Sequence, residues 1–398
     1  MFLRSVFSSC NVYIMLFLVY YIVSSISQGS VNALLLIIII VISVYYVFKV
    51  NHFKNLPVYF KGLNVFLLLL SIYGFYLAFT HGNILIRETG NFVKSNTNLR
   101  FLYGSMLPIY PCYYFARKGM LTEKALRYWT FIFFIVAYIS YYFAMIHHVQ
   151  RALELGLNAE DTNFTNNVAY TFLMVMPCLS LFIKRKYIFF SGLTICLFLI
   201  LAASKRGAIL ISILIAIILL RKYFQSLKLS LNKKVVSYII LFVFLYIAAI
   251  FVINYINSNE YLYAKLLSIQ DGNSSGRDYI TDYFLNMYIN IYSFPEMIFG
   301  GGADYTIISG PNYAHNDWIE VLINEGLVGL VCYLFYWFCF YKTYMTYRNC
   351  RFGFIIGIIA VILILKSIFS MSYTAMNLYV CSILGFCLYQ CEYELLKK

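Results

Sequence analysis

Long apolar runs separated by short polar or basic turns recur along nearly the whole chain, near 11–26, 31–49, 62–79, 98–116, 128–146, 166–183, 187–203, 207–222, 235–254, 318–341, 352–370 and 373–390. A helix rises about 1.5 Å per residue and needs about 20 residues to cross a hydrocarbon layer, so runs of this length predict transmembrane helices. They are too long and too continuous for transmembrane strands, whose apolar and polar positions alternate over about ten residues. The expected fold is therefore all-α, a polytopic bundle of about 12 spans forming a single integral membrane domain over residues 1–398. The first run has the length of a signal peptide, but no small-x-small cleavage site follows it, so it is read as a retained span. Residues 255–317 interrupt the pattern as one long polar loop between the ninth and tenth spans, large enough to cap a cavity.

Within that loop, Ser274-Ser275-Gly276-Arg277-Asp278-Tyr279 reads as a helix start with an amphipathic continuation through Phe284 and Met287. Arg277 has two readings, a local pair with Asp278 or Asp282 or a cation for a ligand. The run Ile298-Phe299-Gly300-Gly301-Gly302-Ala303-Asp304 lacks the strand, the Gly-Lys-Ser and the helix of a nucleotide P-loop. The loop closes on Tyr313-Ala314-His315-Asn316-Asp317-Trp318-Ile319-Glu320, which holds one of only five histidines. Asp317 with Glu320 forms a capping-box pattern, so a helix is expected just after His315, its positive end lowering the imidazole pKa. Trp318, Ile319, Leu322 and Ile323 share one face of that helix and Asp317, Glu320 and Asn324 another, as for a helix lying at a membrane surface. Gly326 and Gly329 then permit a bend into the following span.

Composition agrees with the pattern: 62% of residues are hydrophobic and 12% charged, and a mean hydropathy of +0.77 excludes an ordinary soluble domain. The net charge of +14 does not point to nucleic acid, because the basic clusters Arg117–Arg127, Lys184–Lys186, Arg221–Lys234 and Lys342–Arg351 all fall on one side of the alternating spans. By the positive-inside rule that side is cytoplasmic, with both termini, and the long loop is periplasmic. Lys205-Arg206 violates this bias in a tight outer turn. The pair either snorkels to an interface or forms an anion site, with Gly207 allowing close backbone approach. The first three spans read as scaffold, and Pro108 with Pro111 breaks the fourth. His147 and His148, adjacent on a helix, point in different directions and read as interfacial rather than metal-binding. Lys366 either snorkels or faces a cavity. No Asp-x-Asp pair for a metal-bound sugar nucleotide occurs in the outer loops, and the ten cysteines form neither a disulfide framework nor a Cys-x-x-Cys spacing.

Ser-Lys-Arg-Gly after a long apolar span, Ser-Gly-Arg in the long loop, Phe-Gly-Gly-Gly, then His-Asn-Asp-Trp with Glu-x-x-x-x-Glu-Gly-x-x-Gly occur in that order over roughly residues 190–345. This order resembles the O-antigen polymerase and ligase superfamily, the Wzy and WaaL type of bacterial glycan-assembly enzyme. Lys205 departs from the family pattern, where an uncharged residue is common. The resemblance implies metal-independent glycosyl transfer, without a cofactor, from an undecaprenyl-diphosphate-linked oligosaccharide to an acceptor sugar hydroxyl at the periplasmic face of the bacterial inner membrane. It implies polymerisation of surface-polysaccharide repeats, with membrane lipids and a chain-length regulator as further partners. On this reading His315 is the catalytic base, Arg206, Arg277 and Lys205 bind the diphosphate, and Asn316, Tyr313, Asp304 and Glu325 support them. A ligase acting on lipid A core shares the motifs and stays open beside it. A transporter would instead place ionisable groups at mid-membrane depth in repeated halves, and no internal repeat occurs. A purely structural role leaves the outer cations without a purpose.

Overall fold

The computed structural model describes residues 8–26, 30–80, 83–85, 92–94, 105–154, 169–203, 205–227, 250, 254, 277–310, 313–370 and 377–397. Nearly all of the expected ninth span, the first part of the long loop, Arg87 and Arg100 fall outside them. The chain opens with helices α1 (Ser9–Ile26), α2 (Ser30–Asn51) and α3 (Val58–Thr80). A short antiparallel hairpin follows, β1 (Asn83–Leu85) pairing with β2 (Phe92–Lys94), which the sequence pattern did not predict. Next come α4 (Ile109–Arg117), α5 (Glu123–Glu154), α6 (Ala169–Val175), which tightens to a 3-10 helix over Met176–Phe182, α7 (Lys186–Ala202) and α8 (Arg206–Ser226). The described part of the long loop folds into α9 (Arg277–Asn286), ending in a π turn over Met287–Ile291, then α10 (Phe294–Phe299) and α11 (Tyr305–Ser309). Three helices complete the bundle: α12 (Asp317–Tyr347), α13 (Gly353–Phe369) and α14 (Leu378–Leu396).

Six described helices are long and apolar enough to cross a membrane by length and composition, and three shorter apolar ones accompany them. The expected count of about 12 spans is not reached among the described residues. Their large apolar side chains point outward as well as inward: Leu34, Val41 and Leu68 are 59%, 63% and 65% exposed. Such surfaces are stable against lipid and unstable against water, so this is a membrane protein. The expected broken fourth span is, in its described part, the nine-residue α4, with Pro108 at its N-cap and Pro111 in its first turn. Proline is tolerated there because the amides of a first turn have no intrahelical partner.

Helix ends gather at two poles. At one pole Arg117 pairs with Glu392 at 2.9 Å, Arg351 with Glu123 at 2.9 Å and Arg127 with Glu123 at 2.5 Å. This pole carries the described residues of the basic clusters read as cytoplasmic. At the opposite pole Tyr73 on α3 donates to the Phe299 carbonyl at 2.7 Å and the Leu378 amide donates to Tyr21. The helices of the long loop pack here, chiefly on α12. They have a small core of their own in Phe284, Met287, Tyr292, Ala314 and Ile323. Phe284 is fully buried, worth about 1.5–3 kcal/mol relative to exposure, and this is the amphipathic continuation expected for α9.

Candidate active site

The site is built around a break in α12. At Gly326 the backbone leaves helical geometry (φ 66°, ψ −159°), the bend expected there, and the glycine run docks into the gap. Gly301 N–H donates to the Ile323 carbonyl and Gly302 N–H to the Asn324 carbonyl, both at 2.9 Å. The glycine run is therefore pinned by backbone hydrogen bonds to the last turn of the first α12 segment. Helix α10, which delivers it, begins with a capping box of Ser293 and Glu296; the Ser-x-x-Glu spacing was legible, but the proline inside it drew no helix.

The first α12 segment starts one residue earlier than its expected cap. Asn316, not Asp317, is the N-cap, its Oδ1 accepting from the amides of Trp318 at 2.9 Å and Ile319 at 3.4 Å. Nor does the polar face meet a membrane surface: Asp317, Glu320 and Asn324 are 0%, 0% and 1% exposed. Glu320 turns inward, accepting from Thr306 Oγ1 at 2.5 Å, the Ala314 amide at 2.7 Å and Asn324 Nδ2 at 3.1 Å. Asn324 Oδ1 in turn accepts from the Thr306 amide.

This arrangement explains the His315 conformation. Glu320 holds Ala314 on one side, Asn316 enters the helix on the other, and His315 between them takes a positive φ of 53°. Among the described residues the only other non-glycine with positive φ is Asp304, at 59°. Left-handed backbone costs about 1–2 kcal/mol per L-residue and concentrates where surrounding structure dictates a geometry. Both strained residues are site candidates.

Two electrostatic halves meet at this loop. On one side lie cations: burial, then Arg277 and Lys205, holds the His315 imidazole down at about 4. Burial, then Arg277, likewise holds the Lys205 ammonium below its usual range. The direction is the expected one, but its causes are burial and the Arg277 and Lys205 charges, where a helix dipole was expected. Arg277, the first residue of α9, donates from Nη1 to the Phe369 carbonyl at the C-terminal end of α13, 2.9 Å away. Lys205 is the N-cap of α8 and Arg206 its first residue. On the other side lie carboxylates. Asp304 and Glu325 are 2% and 3% exposed, and Asp304 Oδ1 and Glu325 Oε2 have no hydrogen-bond partner among the described residues. Burial, then Glu320, pushes the Asp304 carboxyl up to about 7. Tyr313, two residues before His315, faces this half; burial, then Asp304 and Glu320, pushes its phenol up.

The raised Asp304 carboxyl has a consequence for stability. Between its ordinary value of 3.8 and about 7 the folded state keeps a proton that the unfolded state has released, so stability falls as pH rises through that window and stays lower above it. Asn mimics the protonated form and tolerates left-handed backbone. Asp304→Asn is expected to raise the thermal midpoint of the purified protein at pH 8 and leave it nearly unchanged at pH 4. An equal shift at both values would sink the assignment.

The structure therefore brings His315, Arg277, Lys205, Tyr313 and Asp304 to one end of the bundle, with Arg206 beside Lys205 and Glu325 at the α12 break. Asn316 acts visibly as a helix cap. Gly207 does open a close approach, but to protein: a Cβ there would lie 2.7 Å from Tyr170 Oη and 3.2 Å from Phe369 Cβ. Lys366 faces inward, 1% exposed, its amine 4.7 Å above the Tyr170 ring. His147 and His148 lie in α5 with side chains outside the described set. Glu320, Thr306 and Asn324 went unrecognised as a hydrogen-bonded unit; a Glu and an Asn four apart was the available signal.

A family model described as O-antigen ligase (Wzy_C) matches residues 191–334. Over this segment the chain is similar to the O-antigen ligase family. The O-antigen ligase-type segment runs from α7 to the middle of α12 and contains Lys205, Arg206, Arg277, Asp304, Tyr313, His315, Asn316 and Glu325. No curated protein and no solved structure matches the chain.

Proposed function

We propose that this chain polymerises surface-polysaccharide repeats, transferring a glycan from an undecaprenyl-diphosphate carrier to an acceptor sugar hydroxyl at the outer face of the bacterial inner membrane. The observation that carries the proposal is the placement of a neutral, half-buried His315 beside Arg277 and Lys205. In the reaction the acceptor oxygen forms a bond to the anomeric carbon while the bond from that carbon to the phosphate oxygen breaks, its electron pair leaving on the diphosphate. Fixed cations stabilise that developing charge more in the transition state than in the ground state. Arg277, Lys205 and Arg206 serve this role, Arg with a planar fork suited to phosphate oxygens. The acceptor proton passes to His315, which is unprotonated above about pH 4. As an empty-site base it is weak. A diphosphate bound at Arg277 and Lys205 offsets the charges that depress it, so donor binding itself raises its basicity.

A second reading is ligation of the glycan to lipid A core, favoured by the description of the matching family as O-antigen ligase. The two differ only in acceptor. Polysaccharide from cells lacking the gene, with and without the wild-type copy, separates them on a gel. Core bearing a single repeat supports the polymerase. Bare core with long carrier-linked polymer supports the ligase, and an unaltered ladder overturns both.

A further inference from the structure

Both strained residues of the site flank a donor to the same buried carboxylate. Asp304, at φ 59°, lies two residues before Thr306, and His315, at φ 53°, directly follows Ala314. Thr306 Oγ1 donates to Glu320 Oε1 at 2.5 Å, and the Ala314 amide donates to Glu320 Oε2 at 2.7 Å. Oε1 also accepts from Asn324 Nδ2 at 3.1 Å, one turn further along α12. Asn324 cannot exchange its amide ends, because its Oδ1 accepts from the Thr306 amide at 3.1 Å. Its backbone carbonyl in turn holds the Gly302 amide of the glycine run. Thr306 and Glu320 are both fully buried.

A carboxylate here is expensive as scaffold. Taking it out of water is costly even when hydrogen bonds replace its hydration, and an apolar side chain of similar volume packs without that cost. What the carboxylate adds is reach: its two oxygens hold α11 through Thr306, α12 through Asn324 and the loop before α12 through Ala314. Left-handed backbone persists only where its surroundings over-determine it. Glu320 holds the residue before His315, and the residue after it is the cap of α12, Asn316 Oδ1 accepting from the Trp318 amide at 2.9 Å. His315 is thereby fixed from both sides.

We infer that Glu320 is a positioning residue, which through the Ala314 amide sets the His315 loop and through Thr306 and Asn324 ties that loop to α11 and the glycine run. The inference rests on the glycosyl-transfer reading for the identity of the site. Glu320, with no exposed surface, does not act as base or nucleophile; it acts through His315.

The test uses the full-length protein in lipid nanodiscs, supplied with a lipid-linked repeat and with lipid A core as a second acceptor, and reads the release of undecaprenyl diphosphate. Rates are expressed per donor site, titrated with undecaprenyl diphosphate, so that unfolded molecules do not count. Glu320→Gln keeps the volume but turns one oxygen into an NH2 group. Whichever way it faces, that group meets the Ala314 N–H or the Asn324 NH2, a donor against a donor. The variant is expected to lower kcat per site by about 10- to 100-fold, the cost of a misplaced catalytic group, with the KM for the donor little changed. In a His315→Ala background, where the imidazole is already gone, the same change should cost nothing further. Unchanged kcat per site in Glu320→Gln, or losses that multiply in the double variant, would overturn the inference. Should Glu320→Gln not accumulate, Thr306→Val removes the hydroxyl that pins Oε1. A fall in kcat per site that Thr306→Ser recovers supports the inference; a wild-type value, or a fall that Thr306→Ser leaves in place, overturns it. A wild-type protein that releases no undecaprenyl diphosphate with either acceptor refutes the glycosyl-transfer reading instead, so the two failures are distinguishable.

Discussion

Replacing His315 with alanine is expected to reduce transfer by about 10²- to 10⁴-fold, the usual contribution of a general base, while the protein accumulates normally. The loop that holds it is tied at Ala314 to Glu320 and at Asn316 to the helix start, so the imidazole is removed without releasing its backbone. Relief of the positive φ by Gly at this position would stabilise the fold; alanine keeps that strain, which makes it the cleaner variant. The pH dependence gives an independent readout. Free protein has the imidazole at about 4 because of burial, Arg277 and Lys205, so the acid limb of kcat/KM, which reports the free enzyme, should lie near that value. With donor bound, the diphosphate offsets both cations and the proton affinity rises. The acid limb of kcat should therefore sit at higher pH than that of kcat/KM. A normal polysaccharide ladder from His315→Ala at matched protein levels would refute the base assignment. Coincident acid limbs would refute the coupling to diphosphate.

Substituting Gly326 with valine is expected to abolish activity and lower the thermal midpoint together. Gly326 and Gly300 both occupy backbone space used almost solely by glycine, at φ 66°, ψ −159° and φ 75°, ψ 179°. A Cβ on Gly326 would meet Gly300 N and Ile298 O at 2.4 Å each, and one on Gly300 would meet the Asn324 carbonyl at 2.2 Å. The obstructing atoms are backbone, so no rotamer change relieves the contact. Conformational strain alone costs about 1–3 kcal/mol; the steric term adds to it by parting the glycine run from α12. Asn324 and Glu320 then lose Thr306, and the His315 loop loses its anchor. Gly119→Ala is the control, since φ there is +70° but nothing lies within 4 Å of an added Cβ. Thermal melts and the ladder assay on both variants check this: a Gly326→Val protein as active as wild type would show that the clasp is dispensable.

Much of this was legible in sequence for a simple reason. Span-length apolar runs are local properties, so the helical bundle was readable one segment at a time. The bend at Gly326 was readable likewise, because glycine bends depend on neighbours a few residues away; the expected helix start at Ser274–Gly276 lies outside the described residues. Span boundaries were less so: α5 extends over Glu123–Glu154, well beyond the apolar run 128–146 that predicted it. Helices carry on past the hydrocarbon when polar neighbours continue their hydrogen bonding.

Contacts between distant segments could not be read this way. Asp317 and Glu320 match a capping box in spacing, yet Asn316 caps the helix, because Thr306 and the Ala314 amide supply better donors for Glu320 from across the loop. Gly207 suits a phosphate turn in sequence and a Tyr170 contact in space. Lys366 was ambiguous as a single cation near a helix end, and only the packing of α6 and α12 against α13 turned it inward. By itself the sequence determined a helical membrane protein whose chemistry gathers at one end, since hydrophobic length and charge bias are written residue by residue. Which cations face His315, which carboxyl oxygens are buried without a hydrogen-bond partner among the described residues and which residue caps the site helix were decided by tertiary structure, because each depends on groups from separate segments, Lys205 and His315 among them, competing for the same few hydrogen bonds and charges.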